Sequence, residues 1–123
     1  MTRIRISSLA RADLAQIFAT STERWGTEGK RRYAALVGIA IRKIASEPEG
    51  TNTRARPELS RSIRNFHLRH AHIGEGQAHV KKPVHVLYYR IVRPGLVEIV
   101  RVLHERMEPS RHIAAEFNDD PSS

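Results

Sequence analysis

The chain has 123 residues, 40% of them apolar, and carries 21 Lys and Arg against 13 Asp and Glu, which gives a formal net charge of +8. This length accommodates one domain with a substantial core but not two, and the lack of cysteine excludes disulfides, thiolate metal sites and thiol nucleophiles. The positive charge, weighted towards arginine, favours an acidic partner, either a nucleic acid or a protein.

The N-terminal part of the chain predicts one strand and two helices. Residues 3–6 alternate basic and apolar side chains, which is the period of a half-buried strand. A serine pair can then cap a helix with one apolar stripe, which Gly26 ends, and we assign Asp13 near its start to the helix macrodipole. A second amphipathic helix follows and stops before Pro48. The two form a helical hairpin whose apolar stripes need a flat surface to cover them.

The rest of the chain predicts three strands. Residues 47–62 are rich in turn residues and predict a loop, while apolar and polar residues alternate over 65–69 as in a strand. Residues 84–92 are the strongest strand signal, and a Pro-Gly turn joins them to a return strand over 96–103. The predicted fold class is α+β: an N-terminal strand and a two-helix antiparallel hairpin packed on a mainly antiparallel sheet of about four strands, in the order β-α-α-β-β-β.

The boundaries of the domain follow from composition. We expect residues 1–117 to form a single domain and residues 118–123, NDDPSS, to form a disordered tail. Residues 71–83, AHIGEGQAHVKKP, predict an extended, basic hairpin tip. Charges interrupt the N-terminal segment, which is therefore unlike a signal peptide, and no stretch approaches the roughly 20 apolar residues of a membrane span. The expected location is the cytoplasm.

The chain contains seven histidines. His70 and His72 would share a strand face, and His79 or His85 could fold back beside them to hold zinc or nickel. The spacing matches no standard metal site, however, and no acidic residue lies between His67 and His72. The sequence therefore predicts neither a metal nor another cofactor.

Most of the remaining candidate chemistry lies in residues 102–113, VLHERMEPSRHI. His104 and His112 could serve as the acid and base of a metal-independent ribonuclease, with Arg106 and Arg111 binding the phosphate. The same residues suit a binding surface equally well, because sequence does not give their mutual distances. Both interpretations stay open at this stage.

Two further pairs of residues allow more than one interpretation. Arg90 and Arg101 interrupt apolar strands and could lie close together on one sheet face. Because burying two like charges is costly, that face would have to be open to solvent, to Glu98 or to an anionic partner. Trp25 and Tyr33 flank the predicted helical turn. They would either belong to the core or anchor a partner's helix.

The organisation resembles the ParE toxins of the RelE/ParE toxin–antitoxin superfamily nearly end to end. The segment ADLAQIFATSTERWG is similar to their first helix, RRYAALVGIAIRKIASEP to their second, and VHVLYYRI with VEIVRVLHERMEPSRH to their closing hairpin and tail. The resemblance implies a type II toxin that traps DNA gyrase with cleaved DNA and so blocks replication, a non-enzymatic activity. It also implies a ParD-like antitoxin with a ribbon-helix-helix domain, which binds DNA, and an acidic flexible tail, which folds onto the toxin.

Candidate residues can be assigned to each of the two partners. The expected antitoxin-binding residues lie on the first strand and at the exposed ends of the helical stripes: Arg3, Arg5, Trp25, Tyr33 and Leu36. The expected target-binding residues lie on the last strand and the C-terminal segment: Arg101, His104, Arg106, Met107, Arg111 and His112.

Two alternatives accompany this interpretation. The RelE branch shares the fold but cleaves messenger RNA on the ribosome, and Arg106 and His112 fall where such an enzyme would keep catalytic side chains. The chain departs from that branch because it has Asn65, His67 and Arg69 where lysines would be expected, and no tyrosine after Tyr89. The other alternative is a degenerate, non-toxic module that only binds its antitoxin.

Overall fold

The computed structural model describes residues 2–71, 80 and 82–113. Within them the fold is α+β, as predicted, with a long helical element packed on a sheet. The elements in chain order are β1 (Arg3–Ile6), α1 (Ser8–Ser46), β2 (Thr53–Ala55), β3 (Ile63–His67), β4 (His85–Arg93) and β5 (Leu96–His104), with short 3₁₀ turns at Leu68–Ala71 and Pro109–Arg111. The predicted tail over 118–123 and residues 72–79 and 81 of the predicted hairpin tip lie outside the described residues.

The helical element begins and is interrupted where the sequence indicates. The Ser7 hydroxyl accepts a hydrogen bond from the Ala10 amide at 3.0 Å, which caps the helix. Gly26 has φ of 75° and ψ of −177°, a conformation that side-chain-bearing residues avoid, and it interrupts the helical backbone. The helical residues on both sides of this kink are assigned to a single element, Ser8–Ser46, so the predicted count of two helices is not confirmed. None of the helices in the described part of the chain is long and apolar enough to cross a membrane.

The sheet has one more strand than predicted in the described residues. Its order is β1-β5-β4-β3-β2, with β1 parallel to β5 and every other pair antiparallel. The extra strand, β2, lies inside the segment predicted as a loop, because its three residues show no apolar alternation and are held by pairing with β3. The strand predicted over 65–69 starts at Ile63 and ends at His67, since Leu68 turns into the core as part of a 3₁₀ turn.

Buried side chains form two clusters on opposite faces of the sheet. Leu87 and Tyr89 of β4 pack with the buried side chains of α1. Val86 and Tyr88 alternate with them and therefore face the other way, where they join a second cluster that includes Ile113 from the C-terminal segment. This segment therefore reaches the sheet face opposite α1.

Candidate functional site

An open groove of about 1040 Å³ lies between α1 and the end of the sheet where β4 begins and β5 ends. The helix contributes Asp13, Ile17, Ser21, Trp25 and Tyr33 to its lining. The sheet and the C-terminal segment contribute His85, Arg101, His104, Met107 and His112. The surface of the groove is mostly apolar, with basic side chains among its lining residues, so it can receive a chain segment with an apolar face and acidic flanks.

The groove brings together residues that were assigned to different partners. Four of the six predicted target-binding residues line it, together with the predicted antitoxin-binding residues Trp25 and Tyr33. The other two target-binding residues, Arg106 and Arg111, are exposed on the C-terminal segment but do not line the groove.

The remaining antitoxin-binding candidates lie elsewhere. Arg3 and Arg5 are exposed on β1 and line a separate depression with two other arginines, Arg11 and Arg93. Leu36 is fully buried in the core beneath the helix, and its side chain is therefore not available at the surface. The prediction that Leu36 belongs to a partner-binding surface is corrected on this ground.

Trp25 and Tyr33 differ sharply in exposure. Trp25 is 57% exposed, so the interpretation of this residue as a core aromatic is wrong. On the other side of the kink at Gly26, a β-carbon at Gly29 would lie 2.3 Å from the Trp25 β-carbon, and only glycine allows this close approach. Tyr33 is buried, and only its hydroxyl end meets polar groups of the groove.

Tyr33 is hydrogen-bonded to His85. The Tyr33 hydroxyl oxygen accepts a hydrogen bond from the Val84 amide at 3.3 Å and lies 2.6 Å from His85 Nδ1, to which it can donate its own proton. In that arrangement the neutral ring of His85 carries its proton on Nε2. Burial raises the pKa of Tyr33 to about 12. Burial, helped by the neighbouring His104 and His67, lowers the pKa of His85 to about 4.

Three adjacent strands contribute histidines near the same end of the sheet. His85 and His104 face each other across β4 and β5 with ring centroids 5.5 Å apart in an edge-to-face arrangement. His67 of β3 contacts the Glu105 carboxylate at 2.7 Å, and this hydrogen bond lowers the pKa of Glu105. Over residues 2–71, 80 and 82–113, no three His, Asp or Glu side chains converge in a way that could hold a metal ion.

The two strand arginines have separate carboxylate partners. Arg90 Nη2 lies 2.9 Å from Glu98, which also contacts Arg5 at 3.2 Å. Arg101 pairs instead with Asp13 on the helix, through Nε at 2.8 Å and Nη2 at 2.9 Å. Of the partners considered from sequence, Glu98 is correct for Arg90. The partner of Arg101 was missed.

Asp13 and His85 are the groove residues whose roles sequence reasoning missed. Asp13 was assigned to the helix macrodipole, although it lies four residues before Ile17 and eight before Ser21, and so on their buried face. His85 was considered only as a metal ligand, although it alternates with the core-facing Leu87 and Tyr89. In both cases the helical or strand period was sufficient to place the residue.

The chain is similar to known proteins in both sequence and fold. The sequence model of a family described as "ParE toxin of type II toxin-antitoxin system, parDE" matches residues 4–109. The chain belongs to the ParE toxin family. The family match includes Trp25, Tyr33, Arg101 and Met107 but stops short of Arg111 and His112.

Individual members of the ParE family are similar over almost the whole chain. A protein named Toxin ParE1 from Caulobacter vibrioides is 32% identical over 110 residues, which cover 89% of this chain and 95% of the relative. Toxin ParE1 from Mycobacterium tuberculosis is 27% identical over 111 residues, which cover 90% and 97%. A solved chain described as "Chromosomal ParDE TA system from P. aeruginosa" matches the fold with a TM-score of 0.61 at 13% identity, over 85% of this chain and 96% of that one.

Proposed function

We propose that this ParE-family chain inhibits DNA gyrase and is neutralised by a ParD-like antitoxin whose acidic tail lies in the groove. The family match supports the toxin role, and the P. aeruginosa structure with a similar fold comes from a ParDE toxin–antitoxin system. The observation that carries the antitoxin part is an exposed tryptophan in a largely apolar groove of a chain with a net charge of +8.

The groove suits an acidic amphipathic segment. Trp25 and Met107 expose 57% and 45% of their surfaces, and both line the groove beside the cationic side chains of Arg24, Arg32 and Lys82. Burying the two apolar side chains would offset the entropy lost when a flexible tail becomes ordered, and the basic rim would speed its encounter. Aromatic anchors in such grooves commonly dominate the binding energy.

The exposed arginines of β1 offer a second contact for the same tail. Arg3 and Arg5 lie with Arg11 and Arg93 around one depression, and only Glu98 pairs with Arg5 among the described residues. Four cations around one depression attract carboxylates. An acidic segment that leaves the groove could therefore continue to this edge of the sheet.

We assign the target-binding role to the C-terminal segment. Arg106, Met107, Arg111 and His112 are all exposed, and His104 lies at the groove wall beside them. Arginines on an exposed segment suit the acidic surface of a DNA-binding enzyme. Because the groove is adjacent, an antitoxin tail that fills it would lie against Met107 and His112 and block access to the target.

A plasmid assay tests the gyrase proposal directly. The purified antitoxin-free chain is mixed with gyrase, ATP and supercoiled plasmid, and linear, gyrase-linked DNA is measured. We expect cleaved DNA to accumulate with the native chain and to disappear with the double variant Arg106→Glu/Arg111→Glu. The control Arg31→Glu/Arg42→Glu makes the same charge change at exposed helix positions outside the groove and should retain activity. Cleavage by the Arg106/Arg111 variant at the native level would refute the target surface.

Antitoxin binding is tested at Trp25. Trp25→Ala should weaken binding at least tenfold, because truncating a central aromatic anchor costs about 2 kcal/mol or more. Leu9→Ala is the matched control, since Leu9 is 50% exposed on the same helix but does not line the groove. Equal affinities for the two variants would show that the tail does not use the groove.

One observation favours a ribonuclease as the second candidate. His104 and His112, the acid and base considered from sequence, both line the groove. If gyrase is unaffected, translated messenger RNA is the next substrate, and His112→Gln should abolish its cleavage. Normal growth when the chain is overproduced without antitoxin would instead indicate a non-toxic module.

A further inference from the structure

The Asp13 carboxylate is the centre of a hydrogen-bonded connection between α1 and β5. It accepts three hydrogen bonds: from Arg101 Nε at 2.8 Å, from Arg101 Nη2 at 2.9 Å and from the Val102 amide at 2.9 Å. The Asp13 and Arg101 side chains are only 14% and 15% exposed. Hydrogen bonding to Asp13 raises the pKa of Arg101. A planar guanidinium bound at two points cannot rotate without breaking both bonds.

This fixed guanidinium also holds the C-terminal segment. Arg101 Nη1 donates a hydrogen bond to the backbone carbonyl of His112 at 2.7 Å. The next residue, Ile113, is buried in the cluster on the opposite sheet face. The exposed residues between the end of β5 and these two anchors include Arg106, Met107 and Arg111. The C-terminal end of this exposed segment is therefore held by the hydrogen bond from Arg101 to His112 and by the buried side chain of Ile113.

We propose that Asp13 and Arg101 are positioning residues, which form a latch that holds the C-terminal segment in the arrangement needed to contact the target. Arg101 acts through the segment, because each of its three nitrogens donates a hydrogen bond within the chain and its side chain is only 15% exposed. The contribution to target inhibition rests on the function proposed above. The anchoring of the segment does not.

Amide hydrogen exchange tests the anchoring without reference to any target. The His112 and Ile113 amides both donate to the Pro109 carbonyl at 2.9 Å, so their exchange rates report whether this turn is closed. Asp13→Asn should raise both rates at least tenfold while the amides of β4 exchange at the native rate. Arg101→Lys keeps the positive charge but has no second or third nitrogen to reach His112. It should also raise the His112 and Ile113 exchange rates, and it serves as the test if Asp13→Asn unfolds the chain.

Glu98→Gln is the matched control. The substitution disrupts another ion pair of β5, and the Glu98 side chain is only 12% exposed, much like that of Asp13. Glu98 does not contact the C-terminal segment in the described structure. It should leave the His112 and Ile113 exchange rates unchanged. Native exchange rates in both latch variants would overturn the proposal.

Gyrase inhibition is then measured with the same proteins. Asp13→Asn and Arg101→Lys should lose inhibition in parallel with the faster exchange, and Glu98→Gln should retain it. Faster exchange together with full inhibition would overturn the positioning role. If the native chain itself does not inhibit gyrase, the proposed function fails, whereas the exchange rates still decide whether the latch exists.

Discussion

Replacing His85 with glutamine should remove a specific loss of stability in acid. The ring of His85 has an ordinary pKa near 6.5, which the folded chain lowers to about 4. The folded state therefore prefers the neutral ring. Its contribution to stability is fully present above about pH 6.5 and is lost as the pH falls from there towards 4.

The contacts of His85 explain the direction. Protonation would place a hydrogen on Nδ1, so this atom could no longer accept a proton from the Tyr33 hydroxyl. The hydroxyl would have to turn its own proton away from His85 and accept from both Nδ1 and the Val84 amide. His104 and His67 oppose the charge, while Glu105 and Asp13 favour it more weakly than burial disfavours it.

The magnitude follows from the two pKa values. A group that titrates at 6.5 when unfolded and about 4 when folded loses about 2 kcal/mol between pH 7.5 and pH 5. Because the ring is only partly buried, solvent screening reduces the expected difference to about 1 to 2 kcal/mol.

Urea unfolding at several pH values between 4.5 and 8 provides the assay. The native chain should lose about 1 to 2 kcal/mol more stability than His85→Gln as the pH falls, whereas the exposed control His112→Gln should follow the native curve. Parallel curves for the native chain and His85→Gln would refute the reasoning, since the two proteins differ only at residue 85.

Three substitutions in α1 have different expected effects. Gly26→Ala should destabilise the chain by about 1 to 3 kcal/mol, because alanine is strained at that φ and ψ even though the added methyl would meet no atom within 4 Å. Gly38→Ala lies in regular helix, where the added methyl makes only an ordinary contact with Arg42, and should stabilise the chain by about 0.5 to 1 kcal/mol. Thermal unfolding measures both variants, and a similar loss of stability at Gly26 and Gly38 would contradict the argument from backbone angles. Leu36→Ala should cost about 2 to 5 kcal/mol but leave the antitoxin affinity of the folded chain unchanged by calorimetry; a specific loss of affinity would mean that Leu36 reaches the interface.

The parts of the fold with strong periodicity could be predicted from sequence. Gly26, the Pro-Gly turn and the β-branched residues of β4 give local signals that the tertiary structure agrees with. The short strand β2 could not be predicted, because its three residues carry no apolar pattern and depend on β3 for their hydrogen bonds. Leu68 was placed in a strand because its alternation continued, although the chain had already turned into the core.

The candidate site could be predicted only as a set of residues. Sequence indicated Trp25, Met107 and His112 separately, but not that one groove joins them, since this depends on how α1 lies across the sheet. Arg101 was expected to meet solvent, Glu98 or an anionic partner and was placed on the target-binding surface. Its anion is instead Asp13, 88 residues earlier in the chain.

The parallel pairing of β1 with β5 sets the earliest point during synthesis at which the sheet can be completed. The paired residues Arg5 and Glu98 are 93 residues apart in the chain. The entropy of closing so long a loop is lost before the contacts between the two strands can form. At about 5 to 20 residues per second, a ribosome needs about 5 to 20 s after making β1 before its neighbour exists. The groove wall on β5 is made in the same interval, so a partner that binds this groove can do so only after β5 has been synthesised.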